Sequence, residues 1–414
     1  MTKTMNAPGE ASAEICQSSA NKTHDRPLRV FFAVGEHSGD LHGSLIIRHL
    51  KKMAPDLIAE GIGGPLMTSA GLNALHSIDE LGVIGFVEVL SNLGRLLKIY
   101  GDVKRHFVEQ RPDLLVLIDY PGFNVRLAEA ARAMGIRVLY YICPQVWAWN
   151  PGRTVKIARV INEAVVVFPF EVDIWKKVGT DVHWFGHPLV DIVHAKTGVK
   201  EFRDEFRLGD APVVSLLPGS RNQEIYYILP ALLATAERIL AQRPTTRFLL
   251  PMAGTIEEKQ IEPHVRGRNL PLTLLRDRTY DAVTASDLAL VASGTATLET
   301  AILGTPMIIV YQTNFFTSVL SKFLIQAPHI GLPNVIAGEK IVPEFIRWQF
   351  RPELVAREAL AILCDEARQK TMREKLVNVR ARLGEAGAGE RVARHILDRL
   401  VSSIASARNG ARDS

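Results

Sequence analysis

The chain has only three cysteines, Cys16, Cys143 and Cys364, among its 414 residues. Their odd number and wide spacing exclude a disulfide framework and a cysteine-based zinc site, and fit a reducing cytosol. Long apolar runs are also missing: each candidate is cut by Gly, Pro or a charge before it reaches the roughly 20 residues that a bilayer-spanning helix needs. The expectation is a protein that is soluble or only touches membranes. Residues 1–26 are polar and lack the apolar centre of a signal peptide, so they read as a disordered leader, with Met5 as an alternative start. No block of Lys and Arg marks a nucleic-acid footprint; the net charge of +5 and pI near 9.0 suit anionic ligands or an anionic membrane surface instead. The GxGxxG spacing of dinucleotide sites is absent, and so is any His, Cys, Asp and Glu pattern with metal-ligand spacing. No cofactor and no metal is therefore expected.

What the chain does have is apolar bulk and a repeated rhythm. With 47% hydrophobic and 22% charged residues it can bury two domains' worth of core. Residues 29–34 read as a β-branched and aromatic strand, 35–40 (GEHSGD) as a polar turn and 41–53 as a helix. Further strands follow at 58–62, 114–118, 137–142, 164–167 and 182–185, with a long helix expected over 88–110. A second series begins with strands at 213–217, 247–250, 272–275, 288–291 and 307–310. This is the signature of two doubly wound, Rossmann-like parallel-sheet α/β domains. The expected division is 27–194 for the first domain, 195–211 for a linker, 212–365 for the second, 366–404 for C-terminal helices and 405–414 for a tail.

Three stretches carry chemistry. The run LLVLI at 114–118 is unalternated, as in a parallel strand buried on both faces, and ends on Asp119 before Pro121 and Gly122. Those two residues are expected to forbid an immediate helix, holding the acid at the strand's carboxyl end, where open α/β sheets bind ligands. Taken alone, Asp119 ranks first as a cap of a helix over 125–134 and second as a general base. In the second half, Ser293, Gly294 and Thr295 place hydroxyls and amides at a helix's positive end, and Arg221, after Gly219 and Ser220, offers a forked cation; both suit a diphosphate. Glu299, one turn further, can accept from ribose hydroxyls or merely compensate the dipole. Residues 81–97 hold so many apolar groups, Val83, Ile84, Phe86, Val87 and Leu90 among them, that they read as a buried helix or as an acyl or membrane contact.

These motifs resemble those of the lipid-A-disaccharide synthases, glycosyltransferases of the GT-B fold. The similarity runs in order through GEHSGD, GVIGFVEVL, IDYPGFN, YYICPQVWAW, FPFE, GHPLVD, LLPGSRNQEI, ASGTATLET and LPNVIAG, from about residue 28 to beyond 390. The resemblance implies that the two domains face each other across a cleft, and that UDP-2,3-diacylglucosamine is joined to 2,3-diacylglucosamine 1-phosphate. The product would be the β-1,6 disaccharide of lipid A in Gram-negative lipopolysaccharide, with UDP released. It makes Asp119 the base, with Glu36 a second catalytic acid, and puts Gly219, Ser220, Arg221, Glu224, Ser293, Gly294, Thr295, Glu299 and Asn334 at the donor. Ser38, Asp40 and Trp147 join the apolar segment as acceptor, acyl or membrane contacts. Many members of the family carry a second acid where this chain has Gly122, which leaves the proton transfer to Asp119 alone or with help from Glu36 or Asp40.

The resemblance implies an inverting displacement, and the charge placement suits it: Asp119 would take the acceptor's proton while Arg221 and the loop amides, not a metal, stabilise the leaving diphosphate. The enzyme would work on the cytoplasmic, inner face of the inner membrane, against an anionic surface. Whether the last helix packs on its own chain or in a homodimer is open from sequence. Two other classes stay open beside the transferase: a UDP-sugar 2-epimerase of the same fold, and a non-catalytic nucleotide-sugar or lipid-binding protein.

Overall fold

The computed structural model describes residues 26–81, 93–145, 152–312 and 329–410. They form two compact units. The first holds the described residues before 146, Gly152–Phe185 and the chain from Gly387 on; the second holds the described residues between Gly186 and Ala386.

In the first unit the strands are β1 (Arg29–Val34), β2 (Ile58–Gly63), β3 (Leu72–Ser77), β4 (Leu114–Ile118), β5 (Arg137–Tyr141), β6 (Glu163–Val166) and β7 (Asp181–Trp184). All pair in parallel, in the order β3-β2-β1-β4-β5-β6-β7. Every residue of β4 is buried, as its unalternated apolar run requires. The second unit repeats the plan with β8 (Val213–Leu217), β9 (Arg247–Met252), β10 (Leu272–Arg276), β11 (Leu288–Ala292), β12 (Met307–Tyr311) and β13 (Glu344–Ile346), ordered β10-β9-β8-β11-β12-β13. Both orders reverse direction once, between β1 and β4 and between β8 and β11. At such a switch point the connecting loops part to either side and leave a crevice at the strands' carboxyl ends, where ligands bind in this architecture.

Three boundaries differ from the sequence reading. The helix after β4 starts at Pro121, not at 125, because proline is well suited to a helix's first position, where its missing N–H has no partner to lose. The helix after β1 runs from His37 to Met53, so most of the polar GEHSGD stretch is its first turn rather than a loop. Residues 195–211, expected as a linker, contain the helix Val199–Glu205, whose Phe202 is fully buried against Leu249 and Leu275 in the second unit. The backbone amides of Lys196 and Thr197 donate to Asp281 at 2.6 and 3.0 Å, tying the same stretch down. Among the described residues no helix is long and apolar enough to cross a membrane.

Candidate active site

In the first unit the loops after β1 and β4 flank the switch point, since Val34 pairs with Ile118. The chain leaves β4 through two consecutive left-handed residues, Asp119 (φ 48°) and Tyr120 (φ 50°). Neither is glycine, and such a conformation costs about 1–3 kcal/mol per residue unless its surroundings impose it. They do. The Asp119 N–H donates to the Tyr141 carbonyl at 3.4 Å, and its own carbonyl accepts from the Tyr140 hydroxyl at 2.8 Å and the Asn124 side-chain amide at 2.7 Å. The same amide lies 3.2 Å from the Ala33 carbonyl and 3.3 Å from that of Ile118, so buried Asn124 joins the ends of β1 and β4. The Tyr120 ring sits over Gly35, where a Cβ would come within 2.2 Å of it, and its hydroxyl donates to Leu81 at 3.1 Å. This turn makes Tyr120, not Asp119, the N-cap residue of the helix, and the Tyr120 side chain makes no capping bond.

Glu36, Ser38 and Asp40 lie in the loop and first turn after β1, next to that site in the sheet. Glu36 and Ser38 are exposed. Burial, and then the Glu36 charge, push the Tyr120 hydroxyl upward in pKa, which places that carboxylate within electrostatic reach of the β4 turn. Asp40 is different: it is 1% exposed and accepts the amides of Gly64, Leu66 and Met67 at 2.8, 3.0 and 3.0 Å. Its carboxylate binds the start of the helix Pro65–Ser69, a task of internal architecture rather than of ligand contact. Gly39 likewise packs on β1 and β4, where a Cβ would lie 3.2 Å from that of Val34, instead of cradling an anion.

The second unit presents its two anion-suited loops at its own switch point, because Leu217 and Val291 are paired neighbours. After β8, Gly219 (φ 118°), Ser220 and Arg221 lead into the helix Asn222–Gln242. Glu224 folds back to accept the amides of Ser220 at 2.8 Å and Arg221 at 3.2 Å, and its other oxygen lies 3.4 Å from the Arg221 guanidinium. Glu224 thus shapes the loop, and the half-exposed Arg221 supplies the cation. After β11, the Ser293 amide donates to the Val310 carbonyl at 2.9 Å and is spent within the sheet. The first amides of the helix Thr295–Ile302, which begins at the positive-φ Gly294, have no intrahelical acceptor, so the set suited to an anion would begin one residue later than the sequence implied. Glu299 accepts from the Tyr280 hydroxyl at 3.3 Å; burial raises its pKa and the Tyr280 bond opposes that rise. Burial, then the Glu299 charge, lifts Tyr280 well above the ordinary tyrosine value, so it stays a donor.

Asn334 is fully buried, and the protein uses all of its hydrogen-bonding capacity. Its amide nitrogen donates to Val342 and Glu344 at 2.9 and 2.7 Å, and its oxygen accepts from Ile341 and Val342 at 2.8 and 2.9 Å. It staples the segment ahead of β13 and keeps no group for a donor sugar. Val83, Ile84, Phe86, Val87, Leu90 and Trp147 lie outside the described residues.

Sequence reasoning missed Tyr140, Asn124 and Tyr280, whose partners are brought close only by the fold. It also missed Glu163, His183 and His395, whose ligand atoms lie within 4.8 Å of one another. Arg399 stands in that cluster as its cation, with 3.0 Å to Glu163, 2.7 Å to Asp181 and 3.2 Å to His183. Burial pushes Glu163 up, but His395 and Arg399 outweigh it and hold the carboxyl below its ordinary value. Glu163 and Asp181 open β6 and β7, so this cluster fastens the last helix at the edge of the sheet opposite Asp119.

The family model for lipid-A-disaccharide synthetase matches residues 30–394. A lipid-A-disaccharide synthase from Nitrosococcus oceani is 44% identical over 368 residues, 88% of this chain and 94% of the relative. Among solved structures, an MnaA–UDP co-structure from S. aureus aligns with a TM-score of 0.62 at 10% identity, over 89% of this chain and 96% of the other. The calicheamicin glycosyltransferase CalG4 aligns with a TM-score of 0.58 at 13% identity, over 91% and 97%. At these identities the likeness to solved structures speaks for the GT-B fold alone, while the family match extends through the second unit and into the start of the last helix. The chain belongs to the lipid-A-disaccharide synthase family and is a glycosyltransferase of lipid A biosynthesis.

Proposed function

We propose that this glycosyltransferase condenses UDP-2,3-diacylglucosamine with 2,3-diacylglucosamine 1-phosphate, with Asp119 as the base. The observation that carries the reading is the placement of a half-buried carboxylate at the switch point of one unit and of two anion-suited loops at that of the other. The acceptor's primary hydroxyl gives its proton to Asp119 as its oxygen attacks the donor's anomeric carbon. The bond from that carbon to the diphosphate breaks on the opposite face, which inverts the configuration and yields the β linkage. The negative charge growing on UDP is met by Arg221 and the first-turn amides of the helix Thr295–Ile302, fixed donors aimed at developing charge, so the displacement needs no metal. Glu299, oriented by Tyr280, receives the ribose hydroxyls. General-base catalysis of this kind contributes roughly 10²- to 10⁴-fold in rate. Asp119→Asn therefore loses turnover, read by mass analysis of the disaccharide product, while UDP still binds; an unchanged rate would remove Asp119 from the chemistry.

The acyl chains require an apolar surface, worth about 0.8 kcal/mol per buried methylene. In support, Leu93 and Leu97 are 43% and 55% exposed where the described chain resumes after residue 92, among the exposed Arg95, Lys98, Lys104 and Arg105. Apolar groups rimmed by cations suit the cytoplasmic face of the inner membrane with its anionic lipids. Val87→Glu with Leu90→Glu weakens liposome binding and leaves UDP affinity intact; unaltered liposome binding would assign the segment to the core.

A further inference from the structure

Asp119 is held by its backbone, and from three directions. Its N–H is tied to the Tyr141 carbonyl at 3.4 Å, and its carbonyl is turned inward onto the Tyr140 hydroxyl at 2.8 Å and the Asn124 amide at 2.7 Å. With nitrogen and carbonyl both fixed, the Cα–Cβ bond of Asp119 has one direction, and only the two side-chain torsions remain. Freed from those bonds, a non-glycine residue relaxes from φ 48° toward negative φ and swings that bond away. We propose that Asn124 and Tyr140 are positioning residues for Asp119, which fix the aim of its carboxylate by clamping the backbone carbonyl of the same residue. The inference rests on the reading of Asp119 as the base.

Three features separate this arrangement from ordinary packing. Both donors converge on one carbonyl, in a place where the Asp119–Tyr120 pair needs restraint. Asn124 is 1% exposed, and its amide nitrogen is also shared with Ala33 and Ile118, so it sets Asp119 against β1, the strand that leads to Glu36. Tyr140 is fully buried, and burial raises its pKa far above the working range, so its hydroxyl keeps the proton it donates.

The test uses the full chain with both lipid substrates and compares Tyr140→Phe, Asn124→Ser and Asp119→Asn. Tyr140→Phe preserves the ring and removes only the hydroxyl, so it guards against a variant that merely fails to fold. A misplacement of about 1 Å in a reacting group costs on the order of 10²-fold in rate. We expect kcat to fall about 10-fold in Tyr140→Phe and about 10²-fold in Asn124→Ser, with the donor KM and the UDP Kd unchanged. Adding Tyr140→Phe to Asp119→Asn should cause no further fall, because its effect passes through the carboxylate. If both folded variants keep their kcat while Asp119→Asn loses turnover, the positioning role is wrong. It is equally wrong if KM and the UDP Kd rise along with the fall in kcat, the mark of general loosening. Retained turnover in Asp119→Asn would instead refute the base assignment on which the inference stands.

Discussion

Gly219→Ala isolates how the loop after β8 works. A Cβ there would stand 2.1 Å from a Glu224 carboxylate oxygen, 2.7 Å from its Cβ and 2.8 Å from its carboxyl carbon, so the Glu224 carboxylate must swing out and the loop backbone must shift away from the Glu224 Cβ. In leaving, the carboxylate releases the amides of Ser220 and Arg221, bonded at 2.8 and 3.2 Å. Each such bond contributes about 0.5–1.5 kcal/mol. The backbone adds its own penalty, since φ 118° belongs to glycine and strains an alanine by about 1–3 kcal/mol. Together they destabilise the loop by about 2–6 kcal/mol, and whatever part must be restored when UDP docks is lost from binding. A restoring cost of about 2 kcal/mol weakens UDP by about 30-fold. Isothermal titration of UDP, with a thermal melt to confirm folding, reads this directly. The double variant Gly219→Ala with Glu224→Ala should lose less than the sum of the two singles, because both remove the same two hydrogen bonds. A folded Gly219→Ala protein with native UDP affinity would show that this loop does not carry the diphosphate.

Two further outcomes follow from local environments. His42 is 8% exposed with no partner at Nδ1, and burial lowers its pKa from 6.5 to about 4. The unfolded chain takes up this proton first, so the stability present above pH 6.5 is lost as pH falls toward 4, by about 3 kcal/mol in all. His42→Phe should flatten that part of the urea-unfolding profile, and an unchanged slope would mean that His42 is not buried neutral. Gly122 is exposed at the second position of the helix Pro121–Ala133, and a Cβ there meets nothing within 4 Å. Gly122→Asp should thus raise stability by about 1 kcal/mol through helix propensity and the dipole. Its kcat stays unchanged if Asp119 acts alone, and an increase would reveal work for a second acid.

The strands were legible where both faces are buried. β4 and β8 match the expected residues one for one, because a short run that is wholly apolar in β4 and broken only by Ser215 in β8 suits a strand buried on both faces. β3 was missed: four of its six residues are polar or small in LNALHS, and half are exposed. β13 has only three residues and no pattern to read. At the site, the position of Asp119 at a strand end was legible, but its left-handed backbone was not, since Asp-Tyr is no signature of that conformation. The roles of Asp40, Glu224 and Asn334 show the general limit. A polar residue beside a loop announces that it bonds something, yet Asp40 binds amides 24 to 27 residues away. Only the assembled sheet shows that the partner is the protein itself.

The last helix also bears on how the molecule is made. Ala388–Gly410 covers the helix His37–Met53 of the first unit, and Gly389 lies against Leu45 and His49. The whole second unit is encoded between these two partners. During synthesis the first sheet therefore emerges early but stays uncovered on that flank until the residues from Ala388 on have left the ribosome. A chain cut short just after the second unit would lack a covering for its older half, not its younger one.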